Sequence, residues 1–220
     1  MDENLISNEN LEDFILSLSR NTDNDFFELK EYAKVNDVPI IRDSTKNLIK
    51  LIINIKKPKE ILEVGTAIAY SSLIMASVDK NIKITTIEDF ARRQQEAEKN
   101  IKEYDKNNQI TLIKDDATNF FNENKDKKEL YDIVFLDAAK GQYINWLPFI
   151  KKLMKKDSIL IADNIFKDGE ILESKFAIKK RNRTIHKRMR EYLNSIFNDD
   201  ELKSFILNIE DGVAISIKNV

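Results

Sequence analysis

The chain contains no cysteine, so disulfides, zinc–thiolate sites and cysteine nucleophiles are excluded. Glycine, proline and histidine are also scarce, with four, three and one in 220 residues. No apolar run is long enough to span a bilayer, and the acidic start MDENLISNENLEDF lacks the basic region and apolar run of a signal peptide. We therefore expect a cytoplasmic protein that does not contact membranes.

The composition is typical of a globular α/β domain. Hydrophobic residues make up 42% of the chain, enough for a sizeable core, and charged residues make up 34%. The net charge of −2 and the pI of about 5.7 argue against a protein that coats DNA. They leave room for a local face that binds anions.

Short apolar runs alternate with amphipathic stretches from about residue 59 onward. Five runs rich in Ile, Val or Leu are typical of strands buried on both faces of a parallel sheet, at 59–64, 82–87, 109–113, 131–136 and 157–162. Amphipathic stretches such as 90–104 separate them. The repeated strand–helix unit predicts a doubly wound α/β sheet.

Both ends of the chain depart from this alternation. Residues 9–35 are predicted to be helical, and a further helix is predicted over 43–55. Residues 203–218 hold two strand-like runs joined by a turn at Asp211 and Gly212, which is a strong hairpin pattern. The last strand should therefore run antiparallel to its partner.

An insertion separates the fifth strand from the hairpin. Residues 166–198 are too many for an ordinary connection, and we predict that they are mostly helical. The chain then divides, within one domain, into N-terminal helices, a core, the insertion and the C-terminal hairpin, at 1–56, 57–165, 166–198 and 199–220.

The first chemical pattern is a glycine after the first strand and an acid after the second. A ligand can approach the backbone closely at Gly65, and the helix starting near Tyr70 offers its N-terminal amides. Glu88 follows at the spacing of an acid that binds both ribose hydroxyls of a nucleoside-containing cofactor. The dinucleotide pattern and a Walker lysine are absent, which disfavours NAD and ATP. The alternative is an ordinary turn with a surface glutamate.

The second pattern places oxygen ligands on neighbouring strand ends. Asp137 ends the fourth strand, and Asp163 and Asn164 end the fifth, at the edge where open α/β sheets bind ligands. Two carboxylates and an amide oxygen suit Mg²⁺ or Ca²⁺. Lys140, close to a dication, should have a lowered pKa and act as a general base. The alternative is that Asp163 and Asn164 cap a helix and that Lys140 is only solvated.

The segments ILEVGTAIAYSS, IE, LDAAK and ADN, in this order and spacing, resemble the cation-dependent class I O-methyltransferases, the family that includes catechol O-methyltransferase. The resemblance covers about residues 38–218. It implies a seven-stranded Rossmann-like sheet, mostly parallel, with an antiparallel C-terminal hairpin strand and helices on both faces.

The same resemblance implies S-adenosylmethionine as the cofactor and Mg²⁺ or a similar divalent cation. The implied cofactor residues are Ile41, Glu63, Gly65, Ala67, Tyr70, Ser71, Glu88, Asp116, Ala117 and Asp137. The implied metal ligands are Asp137, Asp163 and Asn164, and the implied catalytic residues are Lys140 and Asp137.

Two departures from the family pattern bear on the site. Ala69 stands where the family pattern has glycine, and we expect it to tighten the cofactor loop without abolishing binding. Ala138 and Ala139 stand where catechol-type enzymes carry bulky His and Trp, so the mouth of the site should be more open. A larger substrate that brings its own contacts fits such a mouth better than a small flat phenol.

The insertion carries a concentration of positive charge. Eight Lys or Arg lie between Lys175 and Arg190, with no acid among them. Helical spacing places Arg183, Lys187 and Arg190 on one face, flanked by Arg181 and Arg188, and Ile185, Met189 and Tyr192 on the opposing apolar face. Cations beside a methyl-transfer site favour a nucleic-acid substrate, although a solvated basic helix is the alternative.

The pattern RNRTxxxRMREYL is similar to that of bacterial tRNA 5-hydroxyuridine methyltransferases of this family, which convert wobble 5-hydroxyuridine to 5-methoxyuridine. The resemblance implies the tRNA anticodon loop as the partner, bound by Arg181, Arg183, Lys187, Arg188 and Arg190. We assign His186 at most an indirect or phosphate-contacting role. Tyr143 and Trp146 offer stacking surface for a base, but core packing is favoured for both.

Two other functions stay open at this point. One is a catechol or phenolic O-methyltransferase with the same metal site, and the other is a non-catalytic RNA-binding module. The intact set of Asp137, Lys140, Asp163 and Asn164 argues against the module. Because relatives of this type are often dimers, we also expect a homodimer, with the N-terminal helices as a possible interface.

Overall fold

The computed structural model describes residues 14, 18, 26–167, 169–174 and 177–219. Its strands are β1 Glu60–Val64, β2 Lys83–Glu88, β3 Ile110–Lys114, β4 Tyr131–Leu136, β5 Met154–Ala162, β6 Leu202–Leu207 and β7 Val213–Lys218. They form one seven-stranded sheet in the order β3-β2-β1-β4-β5-β7-β6. Strands β1 to β5 are parallel, whereas β7 is antiparallel to both β5 and β6. The predicted Rossmann-like sheet with an antiparallel hairpin strand is therefore confirmed.

Helices cover both faces of the sheet. In the described residues they are α1 Phe27–Val35, α2 Asp43–Lys56, α3 Tyr70–Val78, α4 Ala91–Tyr104, α5 Ala117–Glu123, α6 Tyr143–Leu153 and α7 Arg183–Phe197. Helices α1 to α4 contribute to one core and α5 to α7 to the other. The helix predicted over 43–55 is confirmed, whereas most of the 9–25 part of the first prediction lies outside the described residues. No helix in the described ranges is both long and apolar enough to cross a membrane.

The apolar runs are explained by burial on both sides. In β4, Ile133 and Phe135 belong to one core, and Val134 and Leu136 belong to the other. A strand with helices on both faces needs apolar side chains at every position, which removes the alternation of a half-exposed strand. The carboxyl ends of β1, β2, β4 and β5 then meet at one edge of the sheet and carry the predicted site residues.

The insertion is less helical than the sequence predicts. Helix α7 begins only at Arg183, and the described residues from 166 to 182 form turns and two short 3₁₀ turns, Glu170–Leu172 and Lys180–Asn182. Lys167 and Gly169 have φ values of 50° and 80°, which an α-helix does not allow. The prediction of a mostly helical insertion is thus wrong for its first half, while the division of the chain into four parts stays a prediction.

Candidate functional site

A cavity of about 590 Å³ opens at the carboxyl edge of the sheet. The loops after all five parallel strands line it, together with the segment before α2. It brings together most of the residues predicted from the sequence, namely Ile41, Gly65, Ala67, Tyr70, Ser71, Glu88, Asp116, Ala117, Asp137, Lys140 and Asn164. Its size and its mixture of apolar and charged walls suit a nucleoside-containing ligand with a second small group beside it.

Gly65 lies where two loops pass close to each other. A Cβ atom at this position would stand 2.1 Å from the backbone oxygen of Asp137, and the φ value of 105° disfavours any side chain. The Asp137 amide donates to the Val64 carbonyl at 2.9 Å, which holds the two strand ends together. Glycine at 65 is therefore required for Asp137 to reach the cavity.

Glu88 faces the cavity and also holds the loop after β1. Its carboxylate accepts from the amides of Ala67 at 2.8 Å and Phe90 at 3.1 Å. Burial raises the pKa of Glu88, and the two backbone bonds oppose that rise. The side chain is only 5% exposed, so the alternative of a surface glutamate is excluded.

The loop after β1 has unusual backbone geometry. Ala67 and Ala69 have φ values of 48° and 67°, a region that residues with a Cβ rarely adopt. Ala69 is the N-cap of α3 and is fully buried. The position at which the family resemblance implies glycine thus has a backbone conformation that favours glycine, and Ala69 adopts it despite its Cβ.

Glu63 does not reach the cavity. It is fully buried beneath the loop and accepts hydrogen bonds from the hydroxyls of Ser71, Ser72 and Thr86. Burial raises the pKa of Glu63, and these three hydroxyls oppose that rise. Its contribution to a cofactor site is therefore indirect, since it orients Ser71, which does line the cavity.

Asp116 and Ala117 line the far end of the cavity, at the start of α5. The Asp116 carboxylate caps this helix by accepting from the Thr118 amide at 2.6 Å. Arg93 and Gln142 also line the cavity and were missed as binding residues, and Trp146, which was considered only as a stacking surface, lines it too. Their positions inside or just before helices gave no pattern that distinguishes a cavity wall from a helix surface.

The predicted metal ligands meet beside Lys140. Asp163 is 2% exposed, and its carboxylate accepts from the backbone amide of Asn164 at 2.8 Å. Burial and the charge of Asp137 raise the pKa of Asp163 to about 6. In the described residues no α-helix begins near Asn164, since the next one is α7, so the alternative of a helix cap is excluded.

The donor chemistry of this group fits a hard divalent cation. Two carboxylates that repel each other gain from a dication between them, and the Asn164 side chain offers a third oxygen. In the described ranges no cluster of three or more His, Cys, Asp and Glu could hold a metal, so a metal here needs that amide oxygen. The residues present therefore fit Mg²⁺ or a similar ion at the edge of the cavity.

Lys140 carries a more stable positive charge than the sequence predicts. Its ammonium donates to Asp137 Oδ1 at 3.1 Å, the Tyr143 hydroxyl at 3.2 Å and the Asp163 carbonyl at 2.8 Å. Burial opposes the charge, but the influence of Tyr143 and Asp137 outweighs burial and raises the pKa of Lys140. The sequence analysis expected a dication to lower the pKa of Lys140. The residues around Lys140 by themselves raise it instead.

Tyr143 and Trp146 are core residues, as the sequence analysis favours. Tyr143 is fully buried, and its ring packs edge-on against Tyr192 with 5.5 Å between centroids. Trp146 Nε1 donates to the Thr118 hydroxyl at 3.2 Å. Trp146 also contributes to the cavity wall, so its indole has both packing and lining contacts.

The basic helix lies next to the Lys140 turn. Arg188 donates from Nη1 to the Gly141 carbonyl at 3.2 Å, while Arg183 and Arg190 donate to the carbonyls of Ile178 and Ile171. Lys187 is 76% exposed and lies 3.6 Å from Glu191. Arg181 is exposed as well. Lys175 lies outside the described residues.

The opposite face of α7 packs on the core. Met189 and Tyr192 are buried there as predicted, and Ile185 is half-buried. His186 is also buried, so a direct phosphate contact by its ring is excluded in this conformation. The basic stretch is therefore an amphipathic helix with its cations on or near the surface.

The fold and the site together define an enzyme of the Rossmann-like transferase type, with a nucleoside-cofactor cleft beside a paired-carboxylate centre. The chain belongs to the O-methyltransferase family, whose family model matches residues 18–219. A crystal structure of a candidate caffeoyl-CoA O-methyltransferase from Staphylococcus aureus superposes with a TM-score of 0.87 at 33% identity, over 95% of this chain and 99% of that one.

Two further relatives are more distant. The catechol O-methyltransferase of Niastella koreensis is 27% identical over 127 residues, and this match spans 57% of the present chain and 58% of that protein. An O-methyltransferase from Bacillus cereus in complex with SAH has a TM-score of 0.83 at 18% identity, over 95% of this chain and 97% of that one. At that identity the likeness shows the fold alone.

Proposed function

We propose that the protein uses S-adenosylmethionine to methylate the 5-hydroxyl of 5-hydroxyuridine at the tRNA wobble position, giving 5-methoxyuridine. The observation that carries the proposal is the contact between α7 and the Lys140 turn, made by Arg188 and the Gly141 carbonyl at 3.2 Å. The contact joins α7, whose exposed cations include Lys187 and Arg190, to the turn whose residues Lys140 and Gln142 line the cavity. Such cations bind phosphates and position a nucleic acid without reading its sequence.

The cofactor part of the proposal rests on the walls of the cavity. Gly65 permits close approach to the backbone, and Glu88 presents a buried carboxylate at the end of β2, where ribose hydroxyls are bound in related folds. SAH, bound in the B. cereus relative, is the product that S-adenosylmethionine leaves after methyl transfer. The start of α5 at Asp116 and Ala117 closes the opposite end of the same cavity.

The chemistry proposed for the site uses residues on both sides of the acceptor. When bound by Asp137, Asp163 and Asn164, a divalent cation supplies Lewis-acid stabilisation of an acceptor oxyanion. The acceptor hydroxyl loses its proton to solvent, the oxyanion takes the sulfonium methyl, and SAH is left. The Lys140 ammonium lies beside Asp137 and adds positive charge at the same place, as a stabiliser of the oxyanion rather than as a neutral base. Fixed positions for the acceptor and the sulfonium methyl supply much of the acceleration.

Room for a nucleotide comes from small side chains at the mouth. Ala138 is half-buried and Ala139 is exposed, and both line the cavity beside Lys140. An unpaired base of an anticodon loop is a flat group that a protein can bind outside a duplex. The rest of the RNA would then lie over α7 and the 3₁₀ turn before it, where exposed Lys187 and Arg181 are found.

Replacing Glu88 with alanine should weaken binding of S-adenosylmethionine by about 1–3 kcal/mol, the range for losing hydrogen bonds to a charged group. Glu88→Gln keeps an acceptor oxygen for the Ala67 amide and should lose less. Isothermal titration calorimetry measures both variants. Wild-type affinity in Glu88→Ala would remove Glu88 from the cofactor site.

The salt dependence of RNA binding tests the basic helix. Replacing Arg181, Lys187 and Arg190 with alanine should flatten the slope of log K against log salt by about two to three units, since each lost phosphate contact removes about 0.7–0.9. The probe is an anticodon stem-loop RNA titrated at several ionic strengths. These three side chains are exposed, so the fold should survive.

A matched control changes the same charge elsewhere. Lys125, Lys127 and Lys128 are exposed in the loop before β4, at the opposite edge of the sheet from Asp137. Their triple alanine variant should keep the wild-type slope. Equal slopes for wild type and the α7 variant would mean that the basic helix is only a solvated surface.

The substrate itself is tested by mass spectrometry of tRNA nucleosides from cells with and without the gene. Loss of 5-methoxyuridine with accumulation of 5-hydroxyuridine is expected when the gene is deleted. An unchanged nucleoside profile would leave the second candidate, a phenolic O-methyltransferase, which the name of the N. koreensis relative favours.

The expected homodimer and the cytoplasmic location stay predictions beside this proposal. Sedimentation analysis measures the oligomeric state.

A further inference from the structure

Helix α7 supports the turn that carries Lys140. Lys140–Gln142 form a 3₁₀ turn between β4 and α6, and the Arg188 guanidinium donates to the carbonyl of its middle residue, Gly141, at 3.2 Å. Arg188 is half-buried against this turn, unlike the exposed Lys187 next to it. The hydrogen bond therefore acts on the residue directly after Lys140.

The same helix touches this turn at further points. A methyl group added at Gly141 would lie 3.7 Å from Ile185 Cγ1 and 3.9 Å from Arg188 Cδ, so the two side chains of the helix lie within about one methyl group of the turn. One helical turn further on, Tyr192 packs edge-on against Tyr143. The Tyr143 hydroxyl in turn accepts from the Lys140 ammonium at 3.2 Å.

The neighbouring arginines have different partners. Arg183 donates to the Ile178 carbonyl at 3.2 Å, and Arg190 donates to the Ile171 carbonyl at 3.0 Å. Both acceptors belong to the segment that precedes α7, away from the Lys140 turn in sequence. Arg190 thus makes the same type of bond as Arg188 from the same helix, but to a different part of the molecule.

We propose that Arg188 is a positioning residue that couples the basic helix to Lys140, rather than primarily a phosphate contact. The inference rests on the proposed function in that Lys140 acts on the acceptor hydroxyl. RNA bound to α7 then contacts the same helix that holds the Lys140 turn in place. Binding of the acceptor and the position of Lys140 are therefore linked. A displacement of about 1 Å in such a group costs up to about 100-fold in rate.

The test compares Arg188→Met, Arg188→Lys and Arg190→Met with the wild-type enzyme in steady-state methyl-transfer assays over a range of RNA concentrations. Arg188→Met should lower kcat by about 10- to 100-fold at saturating RNA and cofactor. Arg188→Lys keeps the charge and should recover only part of kcat, because an ammonium does not reproduce the planar fork of Arg. Arg190→Met should raise the KM for RNA instead.

A second readout needs no turnover. Hydrogen–deuterium exchange of the amides from 139 to 146 should rise in Arg188→Met and stay at the wild-type rate in Arg190→Met. Wild-type kcat and wild-type exchange in Arg188→Met, with only KM raised, would overturn the inference and leave Arg188 as a phosphate contact.

Failure of the proposed substrate gives a different pattern. In that case the wild type itself would not methylate the anticodon stem-loop, and the kcat comparison is made with catechol as the acceptor. The exchange comparison is unaffected, because it uses the free enzyme. A faster exchange and a lower kcat on catechol would support the positioning role of Arg188 even though the RNA proposal had failed.

Discussion

Replacing Asp163 with alanine should abolish methyl transfer while S-adenosylmethionine still binds. Asp163 is buried beside Asp137, and the two carboxylates with the Asn164 amide form the donor set that fits a divalent cation. Lewis-acid stabilisation at such a site contributes several kcal/mol, so the loss in rate should be about 1,000-fold or more. Cofactor affinity should persist because Asp163 does not line the cavity.

Chelation should reproduce the effect of this variant. Activity should disappear after treatment with EDTA and return when Mg²⁺ or a similar ion is added in excess. Asp126→Ala removes the same charge at an exposed position and should behave as the wild type. Calorimetry with S-adenosylmethionine separates loss of chemistry from loss of binding. Full activity after thorough chelation would remove the metal from the proposed mechanism.

Replacing Gly65 with alanine should disrupt the cofactor loop and Asp137 together. The new Cβ would stand 2.1 Å from the Asp137 oxygen, and that atom belongs to the backbone, which cannot rotate away. The positive φ adds a further penalty, and the two effects should destabilise the fold by about 2–5 kcal/mol. Urea unfolding measures this loss, and calorimetry should show that binding of S-adenosylmethionine is lost.

Gly169→Ala is the matched control for this prediction. Gly169 also has a positive φ, of 80°, but no atom lies within 4 Å of the added Cβ. Its substitution should therefore cost only about 1–2 kcal/mol of backbone strain. Equal stability losses in the two variants would show that the close approach to Asp137 contributes nothing at position 65.

The sequence alone locates the site residues at the ends of the strands. Gly65, Glu88, Asp137 and Asp163 each terminate an apolar run, and parallel strands bring their carboxyl ends to one edge. Local pattern was enough for these positions because a strand buried on both faces is apolar throughout, so the end of each apolar run marks the end of a strand. The hairpin at Gly212 was predictable for the same reason, since the turn chemistry and the strands on either side agree.

The sequence does not show how deeply a carboxylate is buried or how the charges around Lys140 balance. Glu63 and Glu88 both lie in β-strands, yet one is fully buried under the loop and the other faces the cavity. The pKa of Lys140 is raised because Tyr143 and Asp137 converge on its ammonium. Spacing along the chain gives neither the depth of a carboxylate nor the sum of the charges around an amine.

The sequence by itself determined the doubly wound sheet, the edge at which the site lies, and the residue types available there for a cofactor and a metal. Only the tertiary structure decided that α7 begins at Arg183 and that Arg188 reaches the Gly141 carbonyl. That bond joins residues 47 positions apart in the chain. Helical periodicity fixes which face of α7 is basic, but the neighbour of that face is set by how two distant elements pack on the same sheet.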